Sequence, residues 1–119
     1  MAKEYSRSER VASLIQRELA ALLQTYQGDF ELGIVTISEV AVCRDLSVAS
    51  VYVTVLGFEG DQLAEQMATL KDTAVFFRKE LGRSLRLRVV PELRFIYDDS
   101  IDNGMRMDKL IRDLDVDDA

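Results

Sequence analysis

Residues 71–94 gather Lys71, Arg78, Lys79, Arg83, Arg86, Arg88 and Arg94 against Asp72, Glu80 and Glu92. Cations in such a row suit phosphate. Arginine offers a planar fork of donors, and lysine offers a mobile point charge. The rest of the chain is poorer in cations. Residues 21–70 carry Arg44 alone against seven carboxylates, and residues 95–119 carry three basic side chains against eight acidic ones. The net charge is −6. An acidic chain that collects its cations in one stretch has a polarised surface, which suits an anionic partner.

Other chemistry finds little support. There is no histidine and only one cysteine, Cys43. The commonest general base and the commonest metal ligand are therefore both missing. No Gly-rich phosphate loop or nucleophile elbow occurs. The acidic run around Asp98, Asp99 and Asp102 does not fit a calcium loop. Counted from Asp99, Ile101 and Leu110 fall where ligands are required. A solvated turn at Asn103-Gly104 is the better reading. Without a companion nucleophile, enzymatic activity is not expected, and no catalytic residue, metal or cofactor is assigned. Cys43 reads as a small apolar residue that fits a reducing cytosol, since it has no internal disulfide partner. No apolar run approaches the ~20 residues of a membrane span. The first ten residues lack the apolar stretch of a secretory signal, so a cytoplasmic protein is expected.

The elements that must carry the cations follow from periodicity. Val11, Leu14, Ile15, Leu19, Leu22 and Leu23 recur at helical spacing, which predicts a helix over residues 8–24. Ser6 and Glu9 form a capping-box pattern at its start. Arg7, Arg10 and Arg17 lie off the apolar face. Residues 32–43 and 47–56 are rich in β-branched residues and predict an antiparallel hairpin with Arg44 in its turn. In the second strand, Ala49, Val51, Val53 and Val55 face one way, and Ser50, Tyr52, Thr54 and Leu56 the other. Asp61 is the expected cap of a second helical region. Leu63, Met67, Leu70, Ala74, Phe77 and Leu81 line one side of it, to about Leu87. Pro91 forces a break before a strand over residues 93–97. A short amphipathic piece follows at 105–114. Tyr52 and Tyr97 are expected to pack rather than to stack on bases. Of the adjacent Phe76 and Phe77, one belongs in the core and the other against a neighbouring element.

The order is α-β-β-α-(α)-β. It predicts an α+β fold with a three-stranded sheet and helices packed on one face. This is the type II KH-like arrangement, a single-stranded RNA-binding fold. One domain is expected over residues 1–119, folded over about 6–100, with a partly ordered acidic tail from about 101.

Particular segments narrow this further. Arg7-Ser8-Glu9-Arg10-Val11, Leu32-Gly33-Ile34-Val35-Thr36, Arg44-Asp45-Leu46, Leu87-Arg88-Val89-Val90-Pro91-Glu92-Leu93 and Phe95-Ile96-Tyr97-Asp98 occur in that order. Together they resemble the ribosome-binding factor A family, bacterial assembly factors of the small ribosomal subunit. The resemblance implies a KH-like domain without catalytic activity. It implies binding to the small (30S) subunit and its 16S rRNA during late maturation and pre-rRNA processing, and a need for the factor in the cold. No membrane partner is implied, and the free protein is expected to be monomeric. The family's helix kink, an Ala-x-Gly motif, matches Thr73-Ala74-Val75, where valine replaces glycine. Valine is stiff in a helix, but the Thr73 hydroxyl can bend one by bonding to a carbonyl of the preceding turn. Phe30 stands where the family usually has proline, a change expected to matter only for the turn into the strand.

With the resemblance, the candidate RNA-binding residues are Arg7, Arg10, Arg17, Arg44, Lys71, Arg78, Lys79, Arg83, Arg86, Arg88 and Arg94. On charge alone, a solvated face with pairs such as Lys71–Asp72 and Lys79–Glu80 accounts for the basic stretch slightly better. For Arg7, Arg10 and Arg17 the polar face of a helix and a second rRNA contact are evenly matched. A protein–protein adaptor with an acidic surface, and a small-molecule regulatory domain, remain as alternatives.

Overall fold

A computed structural model describes residues 6–99. The expected amphipathic piece at 105–114, the Asn103-Gly104 turn and the acidic tail lie outside the described residues. The elements are α1 (Arg7–Tyr26), β1 (Ile34–Val42), β2 (Val48–Leu56), α2 (Gly60–Asp72), α3 (Ala74–Leu85) and β3 (Glu92–Tyr97). The fold is α+β with the order expected from the sequence.

Helix α1 starts as its sequence predicts. Ser6 Oγ accepts the Glu9 amide at 3.2 Å, and Glu9 Oε1 accepts the Ser6 amide at 2.9 Å. Two otherwise orphaned donors are satisfied in this way. Its stripe of Val11, Ile15, Leu19, Leu22 and Leu23 is buried. Helix α2 starts differently from expectation. Its cap is Glu59, with no side-chain capping bond, and Asp61 lies in the first turn. A carboxylate there still complements the positive end of the helix dipole.

The sheet order is β1-β2-β3, with β1 antiparallel and β3 parallel to β2. The β1–β2 register shifts between Ile37 and Glu39. Ser38 is the extra residue, and its hydroxyl donates to the Tyr52 carbonyl at 3.2 Å. This bulge moves the inward positions of β1 from Val35 and Ile37 to Val40 and Val42. Ala49, Val51, Val53 and Val55 of β2 are buried in the main core. On the other face, Tyr52 is buried with Ala41 beside half-buried Ile96. Tyr52 therefore packs, as expected, whereas Tyr97 at the end of β3 is 43% exposed.

Phe77 is fully buried beneath the sheet's inner face. Burying a side chain of this size contributes about 2–3 kcal/mol. Phe76 turns instead to the end of α1, with ring centroids 4.9 Å from Tyr26 and 5.1 Å from Phe30. Phe30 also lies 5.9 Å from Phe77. The expectation that Phe30 matters only for the turn is corrected here. Its ring helps clamp the end of α1 to the start of α3.

Candidate nucleic-acid interface

The corner between α2 and α3 is a single residue, Thr73. Its φ and ψ of −86° and −1° are open to any L-residue, so no glycine is required. Its hydroxyl donates to the Leu70 carbonyl at 2.6 Å, and its amide donates to the Thr69 and Leu70 carbonyls at 3.2 and 3.1 Å. The helix is therefore interrupted between α2 and α3 by a buried threonine. Ala74 is half-buried, and Val75 continues helically at 71% exposure.

Beyond the corner, Ala74, Phe77, Leu81 and Leu85 turn α3 onto the core. Lys79 and Arg83, one turn apart on the outer side, are exposed. The helix ends at Leu85, two residues earlier than expected, because Arg86 adopts the left-handed conformation at φ +53°. Glycine is the usual residue at such a helix end. Nothing in the local sequence signals the turn, since leucine–arginine alternation reads equally as helix or strand.

The cations are not equivalent. Arg78 turns back on the protein: its Nε and Nη2 donate to the Val90 carbonyl at 3.0 and 2.9 Å. Arg83 pairs with Glu80 at 3.4 Å, and Arg94 with Glu92 at 3.4 Å. Both pairs are largely solvent-exposed on the arginine side and contribute only a few tenths of a kcal/mol, too little to commit either arginine to its carboxylate. Lys71, Lys79, Arg86 and Arg88 have no side-chain partner among the described residues. Lys71 and Arg94 flank a cleft of about 350 Å³ that is also lined by Leu93 and Phe95.

Tertiary structure adds a residue remote in sequence. Val48 is in register with Glu92, and the Glu92 amide donates to the Ser47 carbonyl at 2.9 Å. The hairpin turn therefore lies beside the start of β3. Exposed Arg44 shares that end of the sheet with the connection that carries Arg86 and Arg88. The turn is held by Asp45, whose Oδ1 accepts from Cys43 Sγ at 2.9 Å, Ser47 Oγ at 2.7 Å and the Ser47 amide at 3.1 Å. The Cys43 thiol, followed by the Ser47 hydroxyl and amide, holds the Asp45 carboxyl down at about 2.

Arg7, Arg10 and Arg17 form a separate stripe on the exposed side of α1, with Leu14 between them at 41% exposure. A second cleft, about 340 Å³, is lined by Glu9, Arg10, Ser13 and Leu14. No hydrogen bond or ion pair among the described residues ties this stripe to the cations of α3. Among the described residues, no helix is long and apolar enough to cross a membrane, and no cluster of three or more His, Cys, Asp or Glu side chains is placed to hold a metal.

The chain is similar to several known proteins. Residues 7–111 match the family model for ribosome-binding factor A. The ribosome-binding factor A of Hahella chejuensis is 48% identical over 117 residues, covering 94% of this chain and 87% of that protein. The crystal structure of ribosome-binding factor A from Thermus thermophilus superposes with a TM-score of 0.64 at 27% identity, covering 76% of this chain and 94% of that one. A homology model of the Thermus thermophilus factor, fitted into a cryo-EM map of its complex with the 30S subunit, gives a TM-score of 0.60 at 27% identity. It covers 71% of this chain and 88% of that one. The chain belongs to the ribosome-binding factor A family.

Proposed function

We propose that this protein is a non-enzymatic assembly factor that binds the maturing small ribosomal subunit through phosphates of its 16S rRNA. The observation that carries this reading is the group of exposed cations at one end of the sheet. Arg86 and Arg88 lack side-chain partners there among the described residues, Arg44 shares that end, and exposed Lys79 on α3 likewise has no side-chain partner among the described residues. Lys71 and Arg94 at their cleft extend the surface, and the α1 stripe of Arg7, Arg10 and Arg17 supplies a second contact. The net charge of −6 does not oppose this, because distant charges are screened beyond ~10 Å at 0.1 M salt.

The mechanism is conformational. A factor that binds one state of the maturing rRNA better than the mature state shifts the population toward productive folding. Release follows once that differential affinity is lost. Barriers between RNA conformers are crossed more slowly in the cold, where late maturation and pre-rRNA processing then depend most on such a factor. The protein acts in the cytoplasm and is monomeric when free.

The test is co-sedimentation with purified small and large subunits at two salt concentrations. The wild type binds small subunits selectively, and Lys79→Glu/Arg86→Glu/Arg88→Glu abolishes binding. The three phosphates met by these side chains alone contribute roughly −2 to the slope of log affinity against log salt, so a fourfold rise in salt should cost at least about twentyfold in affinity. Equal binding to both subunits, or none, would refute the reading.

A further inference from the structure

The connection between α3 and β3, residues 86–91, is built more rigidly than a surface loop requires. Arg78 places two donors on the Val90 carbonyl, at 3.0 and 2.9 Å. Gly82 leaves room for Val90 to seat on α3, since a Cβ at Gly82 would lie 3.3 Å from Val90 Cγ2. Pro91 is fully buried. What projects from this frame is Arg86, held at φ +53°, then Arg88, then Val89 at 53% exposure. Neither arginine spends its donors on another side chain among the described residues.

The α2–α3 corner offers the opposite. Thr73 closes it alone, and its amide is already bonded to two carbonyls. No glycine opens backbone there, so the corner has little to offer a phosphate. Arg78 is committed too. The Nε–Nη2 edge that would grip a phosphate bidentately is occupied by Val90.

We infer that the 86–91 connection, rather than the α2–α3 corner, grips the RNA phosphodiester backbone, and that Arg78 is a positioning residue acting through Val90. Arg86 and Arg88 meet the phosphates. Val89, beside them, lies against ribose or base edges. This rests on the rRNA-binding reading above and assigns its grip to one element.

The experiment measures affinity for purified small subunits across a salt series. Arg86→Ala/Arg88→Ala lowers the steepness of the salt dependence by roughly 1.4, the share of two phosphates on single-stranded RNA. It weakens binding more than Lys79→Ala/Arg83→Ala, which removes the same charge. Arg78→Lys keeps the charge but cannot place a planar fork on one carbonyl. It weakens binding several-fold alone, and has no further effect in the Arg86→Ala/Arg88→Ala background. Amide exchange in Arg78→Lys rises at residues 88–92 while protection in β2 holds.

Equal losses from the two double variants would overturn the assignment of the grip. Wild-type binding by Arg78→Lys, or an additive loss in the combined variant, would overturn the positioning role. A fall in protection throughout β2 would also overturn it, because Arg78 would then support the whole fold. Failure of the wild type itself to bind small subunits would reject the underlying function, a result distinct from all of these.

Discussion

Replacing Thr73 by valine isolates the bond that bends the helix. The side chain is 5% exposed, and its hydroxyl reaches the Leu70 carbonyl at 2.6 Å. A net intramolecular hydrogen bond contributes about 0.5–1.5 kcal/mol. Leu70's carbonyl also accepts the Thr73 amide at 3.1 Å, so removing the hydroxyl does not orphan it. The penalty for an unsatisfied buried acceptor is therefore absent. Thr73→Val should destabilise by about 1 kcal/mol, and Thr73→Ala by about 2, since a buried methyl is lost as well. For a domain near this size, 1 kcal/mol lowers the melting temperature by about 4–8 °C. Thermal unfolding followed by circular dichroism measures this. The position of the Phe76 ring against Tyr26 and Phe30, read from ring-current shifts, reports whether the bend persists. A melting temperature for Thr73→Val equal to or above the wild type would refute the argument. The bend would then be set by packing of Phe76 and Phe77 alone.

Phe30→Pro tests the clamp between α1 and α3. It removes the amide that donates to the Tyr26 carbonyl at 3.3 Å and the ring contacts to Phe76 and Phe77. A loss of about 2 kcal/mol is expected in urea unfolding, where a change in turn geometry alone would leave stability near wild type. Gly33→Ala would place a Cβ 2.5 Å from Phe58 Cε2 and 3.3 Å from Val55 Cγ1. The resulting overpacking should destabilise by about 1–3 kcal/mol, and Phe58→Leu should restore part of it in the same unfolding assay. Asp45→Asn should lower the urea midpoint at neutral pH. The folded carboxyl sits at about 2, below its ordinary value of 3.8. Its contribution is thus fully present above about 3.8 and is lost as pH falls through about 2. The difference between wild type and Asp45→Asn should therefore shrink between pH 4 and pH 2, and a constant difference across that range would count against the turn network.

The elements that bury one face were legible in the sequence. Val11, Ile15, Leu19 and Leu22 repeat with the helical period, and Ala49, Val51, Val53 and Val55 with the strand period, because burial imposes those spacings on residues close together in the chain. The capping box at Ser6 and Glu9 is equally local. So is the surplus of cations over residues 71–94. The start of α2 is not legible in the same way, because Asp61 has the right chemistry for a cap but lies in the first turn, beyond the Glu59 cap that the chain uses.

What each cation does was decided only by the tertiary structure. Arg78 and Arg88 are the same residue type in the same basic stretch. One is bound to a backbone carbonyl twelve positions away, and the other projects into solvent. Arg44 joins the group through the pairing of β2 with β3, a contact that no local spacing encodes. Phe30 gained its partners only when the end of α1 met the start of α3. Local sequence sets which backbone states are cheap and which faces are apolar. The path of the backbone through space then determines which side chains, distant along the chain, lie within the ~3 Å of a hydrogen bond.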